Sequence, residues 1–399
     1  MTAAGPVIII ALAALAVLFM RHARLKNFAF TIWVFAFVAA SMFYPVLFRA
    51  WFGHDLKILI VPLIQIITFG MGTTLNLKSF GRVLTMPWPV FIGILLQFTI
   101  MPLVGLGIAT VFGFEPEIAA GVVLIGSAPS GVASNVMTYL AGGNVPLSVT
   151  ITSFTTLISP LMTPFLMRLL AGRFILVPFI SMMLSILNMI IVPITAGLIA
   201  NKILYARKPW AKKAGSLAAI SAATISLAVI ILLIRAEFFG RLAPLKSGIV
   251  LGSLLIGVVT LAKLVVIVLL GGPENWMDKA LPVVSMASIC LIIAVITAQS
   301  RDQLLSVGLL LILSSVLHNG TGYLLGYWGA RLAHLEESAC RAVAMEVGMQ
   351  NGGLASGIAI DVLKSTNAAL APAIFGPWQN ISGSILASFW RRKPVKGRI

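Results

Sequence analysis

Charged residues are scarce in this 399-residue sequence, in which Asp, Glu, Lys and Arg together make up only 10%. Hydrophobic residues account for 59%, and the mean hydropathy is +1.05. A soluble domain needs more charge than this to cover its surface, so the composition excludes that class. The values are typical of a polytopic membrane protein, and we expect the lipid bilayer to surround the fold.

Acidic residues and cysteines are scarcer still. The chain has 11 Asp and Glu against 28 Lys and Arg, which gives a formal charge of +17. The basic residues stand in short clusters between apolar segments and not along one face, so we predict no nucleic-acid partner. Cys290 and Cys340 fall in apolar segments and give no support for a structural disulfide. The sequence has no HExxH pair, and no Ser–His–Asp set is readable in the apolar segments, so we predict no enzyme.

Apolar segments that are candidates for membrane spans succeed one another along the chain. They are Pro6–Met20, Phe28–Phe48, Leu56–Leu75, Pro87–Phe112, Glu117–Leu140, Val145–Leu170, Ile175–Leu204, Gly215–Ile234, Ser247–Leu270, Ala280–Thr297, Gln303–Ala330, Ser338–Ile360 and Ala369–Trp390. With the N-terminus outside, roughly twice as many Lys and Arg lie on the cytoplasmic side as outside, which agrees with the positive-inside rule. Basic residues come after the first segment and do not precede it, so we expect a retained helix; a cleaved leader is the alternative.

One polar stretch, Glu346–Gly353, interrupts a long apolar segment and places a carboxylate, two carboxamides and three glycines at membrane depth. An ionised Glu costs several kcal/mol there, so it needs a cation or a water-filled cavity beside it. The glycines allow the helix to open and free backbone carbonyls. Oxygen donors gathered around one point suit a small alkali cation. A packing kink around a satisfied Glu346 is the alternative.

A second interruption lies in the first half of the chain, at Gly126–Asn135. Pro129 removes a helix hydrogen bond, and Gly131 loosens the chain after it. Two interrupted helices, one in each half, are typical of an inverted repeat with its binding site at the bilayer midplane. Two ordinary proline or glycine kinks are the alternative.

A series of motifs stands in a fixed order along most of the chain. They are Phe69–Gly72, Gln97, Met101–Pro102, Ser134–Asn144, Leu147–Val149, Thr152, Ser159–Pro164, Leu317–Gly320, Glu346–Asn351 and Trp378–Ser384. In this order they resemble the bacterial members of the bile acid:sodium symporter family. The resemblance implies an all-α polytopic membrane protein with two inverted five-helix repeats. It further implies a panel domain and a core domain, with the discontinuous helices crossing in the core domain.

The resemblance also implies a domain organisation. The first inverted repeat would comprise residues 28–170, and the second residues 171–204 and 279–390. The helix in residues 1–27 and the helix pair in residues 205–278 are extra, and residues 391–399 form a basic cytoplasmic tail. Because the inserted helices come as a pair, they preserve the orientation of all later spans. We expect them to pack at the periphery, with Lys263 either snorkelling or paired locally.

The resemblance places two transported sodium ions among oxygen donors. The first would be held by Ser134, Asn135, Ser148, Thr152 and Glu346, and the second by Gln97, Glu346, Gln350 and the backbone carbonyls of Val347 and Met349. An organic anion would lie near Asn351 and Asn380 in a cavity between the domains, where amide donors and helix N-termini suit a carboxylate. Gln379 and Val132 stand where relatives can carry His and Thr. We expect these two to alter the substrate side and leave sodium coupling intact.

These observations predict a sodium-coupled secondary transporter that imports an organic anion across the cytoplasmic membrane of a bacterium. A bile acid, pantoate or a related 2-oxo acid would each fit the anion site. A proton-coupled or uncoupled carrier of such anions is the nearest alternative. A non-transporting membrane sensor is a further one. No feature of the sequence fixes an oligomeric state.

Overall fold

The computed structural model describes residues 4–22, 26–74, 85–206, 208–273 and 275–393. Apart from one short hairpin, the regular structure in these residues consists of α-helices with adjoining 3₁₀- and π-helical turns. The α-helices are α1 (Ala4–Arg21), α2 (Lys26–Phe43), α3 (Val46–Arg49), α4 (Ile60–Thr74), α5 (Pro87–Val111), α6 (Pro116–Ser127), α7 (Ala133–Leu140), α8 (Val145–Leu166), α9 (Phe179–Ile186), α10 (Val192–Leu204), α11 (Ala214–Leu233), α12 (Lys246–Lys263), α13 (Trp276–Gln299), α14 (Arg301–Leu332), α15 (Glu337–Gly348), α16 (Gly352–Asp361) and α17 (Thr366–Arg391).

Every predicted span coincides with a helix or a broken helix of this set. The span Phe28–Phe48 is divided between two helices, because α2 ends at Phe43, Pro45 has no N–H with which to continue it, and the short α3 follows from Val46. In the described residues, 8 continuous helical segments are long and apolar enough to cross a membrane. They are Leu56–Thr74, Pro87–Val111, Val145–Ala171, Phe179–Leu204, Ala214–Leu233, Ala236–Leu269, Trp276–Gln299 and Arg301–Leu332.

The helical fold agrees with the predicted all-α class, and a small hairpin is an addition to it that the sequence did not predict. Strand β1 (Ala50–Trp51) pairs antiparallel with strand β2 (His54–Asp55). Phe52 and Gly53 form the turn between them with φ of +51° and +81°. Positive φ at both central residues is the geometry of a type I′ turn, whose twist matches that of two antiparallel strands. The hairpin is too short for its apolar pattern to have predicted it.

The described chain forms two compact units, the first within Met1–Lys57, Leu77–Met182 and Cys290–Ile399, and the second within Ile58–Asn76 and Met183–Ile289. At the centre of the first unit lies α6, which is buried along nearly all of its length. Its neighbours approach it at glycines. A Cβ on Gly121 would lie 2.2 Å from the Ala368 carbonyl oxygen, and one on Gly126 would lie 2.4 Å from that of Met101. A side chain at either position would therefore push α17 or α5 away from α6.

Two glycines of α5 give a matched test of this packing. A Cβ on Gly105 would lie 2.8 Å from the Val122 carbonyl oxygen of α6, whereas one on Gly107 would meet nothing within 4 Å. We expect Gly105→Ala to destabilise the protein by about 1–3 kcal/mol through overpacking and so to lower its Tm. Gly107→Ala should leave Tm unchanged or raise it, because Ala is favoured over Gly inside a helix by about 0.5–1 kcal/mol. Thermal unfolding of the purified variants compares them, and equal Tm values would contradict the packing.

The second unit contains α4, α10, α11 and α12. Helices α11 and α12 are the pair that the resemblance implies to be extra, and we call them the inserted helices. Helices α4 and α10 lie in close contact, since a Cβ on Gly197 would come 2.2 Å from the Phe69 carbonyl oxygen. The inserted helices cover the resulting pair with a continuous apolar cluster. Its buried members from α4, α10, α11 and α12 are Phe69, Ala196, Ala200, Ile203, Leu204, Leu217, Ile256 and Val259. The inserted pair is thus packed on α4 and α10.

Polar contacts also hold α12 to this unit, one near each of its ends. Near its start, the Gly248 N–H donates to Asn188 Oδ1 at 2.7 Å. At its end, the buried Lys263 ammonium donates to the carbonyl oxygens of Ile203 and Leu204 at 2.8 and 2.9 Å. These carbonyls end α10, where the helix leaves its last acceptors unpaired and its dipole favours a cation. Lys263 therefore pairs locally, as expected.

Candidate functional site

The two interrupted helices break at one place in the fold, and the breaks contact each other. Between α6 and α7 the chain opens, as it does between α15 and α16. The Gly131 N–H donates to the Met349 carbonyl oxygen at 3.0 Å, and the Asn351 N–H donates to that of Pro129 at 2.8 Å. Each break therefore pairs backbone groups that the other has freed from its helix, which membrane burial requires.

Local sequence explains why the chain opens here. Pro129 has no N–H to offer to α6, so the helical ladder stops. A Cβ on Gly131 would lie 2.7 Å from the Gln350 carbonyl oxygen, so a side chain at this position would separate the two breaks. Ser130 and Gln350 stand opposite each other in an isolated antiparallel β-bridge between the two breaks. The Ser130 hydroxyl donates to the Glu346 backbone carbonyl at 2.7 Å. The crossing, by which we mean the contact between the two breaks, is thus bonded directly to the backbone of Glu346.

Three hydroxyls converge on the Glu346 carboxylate. Ser134 and Ser148 donate to Oε1 at 2.6 and 2.5 Å, and Thr152 donates to Oε2 at 2.7 Å. Asn135 joins the same network, because its Oδ1 lies 2.9 Å from the Ser148 hydroxyl oxygen and 3.3 Å from that of Thr152. All five residues expected around the first ion are therefore brought together. They come from the consecutive helices α7 and α8 and from α15, which is distant from both in sequence.

Electrostatics set this carboxylate apart. Glu346 is 0% exposed, and none of the ion pairs found in the described part of the chain includes it. Hydroxyl groups can donate to a carboxylate and can also turn a lone pair toward a cation. These five residues therefore place several oxygen atoms around one carboxylate, and no cationic side chain among the described residues forms an ion pair with it.

A second polar group surrounds the break after α15. Gln97 donates through Nε2 to Gln350 Oε1 at 2.6 Å and to the Ala128 carbonyl at 3.1 Å. Its own Oε1 is buried and has no hydrogen-bond partner in the described part of the chain. Gln350 in turn donates to the Val347 carbonyl oxygen at 2.7 Å. The residues expected around the second ion thus include a buried oxygen that still needs a donor or a cation. The Met349 carbonyl, which is also expected around the second ion, belongs to the same break and accepts from the Gly131 N–H.

The donor chemistry favours a hard cation. Carboxylate, hydroxyl, carboxamide and backbone carbonyl oxygens make up the whole set, and these suit alkali or alkaline-earth ions and not softer transition metals. Within the described residues there is no group of three or more His, Cys, Asp or Glu that could hold a transition metal. With one carboxylate among neutral oxygens, the set matches a monovalent cation in charge.

The residues expected on the substrate side occupy different environments. Val132 is 42% exposed at the first break. Asn351 is half-buried and caps α16 by accepting from the Leu354 N–H at 3.1 Å. Asn380 is also half-buried, and its amide donates to the Gly376 carbonyl of its own helix at 3.1 Å. Gln379, by contrast, is 6% exposed, and both polar atoms of its side chain bond to the backbone of Gln350.

Two buried polar residues support the crossing and were not assigned to it from sequence. One is Ser130, whose hydroxyl bonds to the Glu346 backbone. The other, Asn319 of α14, is 0% exposed and donates to the Gly348 carbonyl at 2.7 Å, where α15 ends. Both lie within stretches that the sequence singles out. A polar side chain inside an apolar span was the available signal, because such a group needs a hydrogen-bond partner in the membrane.

Comparisons with known proteins decide the family. The sodium bile acid symporter family matches residues 61–243 of this chain. An uncharacterized sodium-dependent transporter of Bacillus subtilis, YocS, is 35% identical over 376 residues, which cover 94% of this chain and 95% of that protein. The chain belongs to the sodium bile acid symporter family. It is therefore a transporter and not an enzyme, and with its apolar helices it is an integral membrane protein.

More distant relatives carry names of the same kind. The probable sodium/metabolite cotransporter BASS1 of Arabidopsis thaliana chloroplasts is 26% identical over 368 residues, covering 92% of this chain and 74% of that protein. The human ileal sodium/bile acid cotransporter is 27% identical over 311 residues, covering 76% and 69%. Sodium is thus the co-transported ion that this family implies, with a small organic molecule as the substrate.

A solved structure extends the comparison at the level of fold. The sodium proton antiporter MjNhaP1 from Methanocaldococcus jannaschii superposes with a TM-score of 0.57, over 98% of this chain and 99% of that one. The two sequences are 12% identical, so the likeness concerns the fold alone. It agrees with a helical fold.

Proposed function

We propose that this protein is a sodium-coupled symporter that imports an organic anion by alternating access across the cytoplasmic membrane of a bacterium. The observation that carries the proposal is the fully buried Glu346 carboxylate, which three hydroxyls contact and no ion pair of the described residues neutralises. A buried carboxylate at membrane depth is costly without a cation. A sodium ion that binds and leaves during the transport cycle offsets that charge.

Two sodium ions fit the two groups of oxygens. The proposed ligands of the first are Ser134, Asn135, Ser148, Thr152 and Glu346, and those of the second are Gln97, Glu346, Gln350 and the carbonyls of Val347 and Met349. The unpartnered Gln97 Oε1 supports the second position. Two monovalent cations around one carboxylate leave a net charge of +1. A monovalent anion bound nearby would neutralise it, which gives a physical reason for coupling sodium to an anionic substrate.

The anion would meet the exposed side of the crossing. Asn351 and Asn380 are half-buried there and offer amide groups, and Val132 is exposed at the first break. Two helices, α7 and α16, begin at the breaks, so their N-terminal N–H groups and dipoles favour negative charge. We propose a carboxylate of the bile acid, pantoate or 2-oxo acid type. Among the relatives, the human protein is named for bile acid.

An inverted repeat accounts for the crossing. The α6 and α15 helices are each 12 residues long and each ends in a break. The pairing between the breaks is reciprocal, because each donates one backbone N–H and accepts one. A two-fold axis through the crossing produces this arrangement. We propose residues 28–170 as one repeat and 171–204 with 279–390 as the other. The helix in 1–27 and the pair in 205–278 are additions, and 391–399 is the proposed cytoplasmic tail, of which 394–399 lie outside the described residues.

Uptake into proteoliposomes tests the proposal. With sodium outside and potassium inside, we expect accumulation of a carboxylate identified by thermal-shift screening of bile acids, pantoate and 2-oxo acids. Replacing the sodium gradient with a choline gradient should abolish accumulation. The initial rate should depend on sodium with a Hill coefficient above one, since two ions are proposed.

The other outcomes separate the alternatives. Accumulation driven by a pH gradient in the absence of sodium would show a proton-coupled carrier, and equilibration without accumulation would show an uncoupled one. Binding of the anion without counterflow across the liposome membrane would indicate a sensor. Any of these three results would overturn sodium symport.

A further inference from the structure

The side chain of Gln379 lies against the second break and not on an open surface. Its Oε1 accepts from the Gln350 N–H at 2.7 Å, and its Nε2 donates to the Gln350 carbonyl oxygen at 2.9 Å. The side chain is 6% exposed. Both peptide groups at Gln350 are therefore paired by one carboxamide that comes from α17.

This pairing extends the bridge between the breaks. The neighbours of Gln350, Met349 and Asn351, pair with the first break on one side. The N–H and C=O of Gln350 point to the other side, where they bond to the carboxamide of Gln379 as they would to the backbone of a neighbouring strand. A carboxamide carries an N–H donor and a C=O acceptor, as a peptide group does. It can therefore pair with a backbone N–H and C=O in the way that a residue of an adjacent strand would. The break is thus held from both sides.

The contact between Gln379 and Gln350 affects the proposed second sodium site, because Gln350 belongs both to this contact and to that site. Its backbone is held by Gln379, whereas its side-chain Oε1 accepts from Gln97 at 2.6 Å. We infer that Gln379 is a positioning residue for the second sodium ion and does not contact the anion. By holding the backbone of Gln350, it fixes the direction of the Gln350 side chain that is proposed to bind that ion. This inference rests on the proposed sodium sites. It assigns Gln379 a role on the sodium side, where the sequence predicted one on the substrate side.

The neighbouring residue provides the contrast. Asn380 comes directly after Gln379 on α17 but is half-buried, and its amide is bonded within its own helix to Gly376. Turning that amide toward a ligand would break one local bond and leave the crossing intact. Turning the Gln379 amide would leave the buried Gln350 N–H without a partner and its carbonyl oxygen with the Gly352 N–H alone, at 3.0 Å, which is unfavourable.

Sodium titrations of purified protein test the inference. Thermal stabilisation is measured against sodium chloride, with choline chloride holding the ionic strength constant. Gln379→Met keeps the shape of the side chain and removes both hydrogen bonds, and we expect it to weaken apparent sodium affinity about tenfold or more. Asn380→Leu removes the adjacent carboxamide and should leave sodium affinity within about twofold while changing the response to anions.

A second variant distinguishes positioning from general damage. The carboxyl of Gln379→Glu offers one acceptor and one donor when protonated, as the native amide does, but two acceptors when ionised. We expect its sodium affinity, relative to the native protein at the same pH, to recover as the pH falls from about 8 to about 5. Gln379→Met should show no such recovery.

Failure of the inference and failure of the proposed function give different results. If the native protein shows no stabilisation by sodium beyond that by choline, the sodium sites themselves are wrong. If the native protein responds but Gln379→Met keeps native sodium affinity and changes the order of preferred anions at saturating sodium, Gln379 lines the substrate site and the inference is overturned. If Gln379→Met does not fold, lack of pH-dependent recovery in Gln379→Glu overturns it.

Discussion

Replacing Glu346 with alanine is expected to abolish sodium-driven uptake while the protein still inserts into the membrane. The carboxylate is the one group that the two proposed cations share, and its removal leaves two positive charges without a counter-charge. Breaking a buried ion pair typically costs about 3–5 kcal/mol, which corresponds to a loss of sodium affinity of about a hundredfold or more. Glu346→Gln should fail in the same way, because the amide supplies an oxygen but no charge.

Uptake at matched protein incorporation, driven by a sodium gradient in proteoliposomes, measures this effect. Glu346→Gln also controls for shape, since it is nearly isosteric with the native residue and leaves an oxygen for Ser134 and Ser148 to contact. Glu237→Gln is the charge control: this Glu is 77% exposed and is paired with Arg235 on the surface, and its loss should leave uptake unchanged. Native sodium-dependent uptake by Glu346→Ala would refute the assignment of both ions.

The helical framework could be predicted from the sequence because membrane burial leaves a strong signal. Each span had to be apolar for about 20 residues, and every predicted span contains a helix. The two breaks were also predictable, since Pro129 and Gly131 interrupt one helix and the polar stretch at Glu346 interrupts the other. Charge and polarity at membrane depth are rare enough for their position alone to mark a site.

The contacts across the breaks could not be predicted from the same signals. The Gly131 N–H donates to the Met349 carbonyl, and the Gln379 carboxamide bonds to the backbone of Gln350. Nearly every residue carries these backbone partners, so no side-chain pattern predicts the contacts. A glutamine can present its amide to an anion or to a peptide group, and the sequence is identical in both cases. The hairpin at Phe52 is another such case, because a turn of two residues is set by local φ and not by apolar periodicity.

Lys263 shows that a lysine in an apolar helix can be interpreted only when its hydrogen-bond partners are known. A lysine inside an apolar helix marks a transport pathway by default. In the structure its ammonium ends α10 by donating to the Ile203 and Leu204 carbonyls, so it contributes to docking the inserted pair. The inserted helices are thus held to α10 by a polar contact as well as by apolar packing, and their removal makes a defined experiment.

Deleting one inserted helix, α11 alone, is expected to invert every later span and to abolish transport. The resulting chain has one span fewer, so an N-terminus fixed outside places the C-terminus outside as well. Both breaks and Glu346 belong to the same crossing, and inverting one of them relative to the other removes the contacts that form it. An alkaline phosphatase fused to the C-terminus should become active, whereas a fused green fluorescent protein should lose its fluorescence.

Deleting α11 and α12 together is the matched control, because it restores the parity of the spans. Lipid can cover the apolar faces that the pair leaves on α4 and α10, since it is as apolar as they are. Asn188 loses its Ser247 and Gly248 partners, so we expect a lower Tm with the C-terminus still inside and measurable uptake. Adding Asn188→Leu removes the unpaired amide and should recover part of that Tm. Native uptake after deletion of α11 alone, with an intracellular C-terminus, would contradict the topology, because the crossing cannot form unless both broken helices keep their opposed directions.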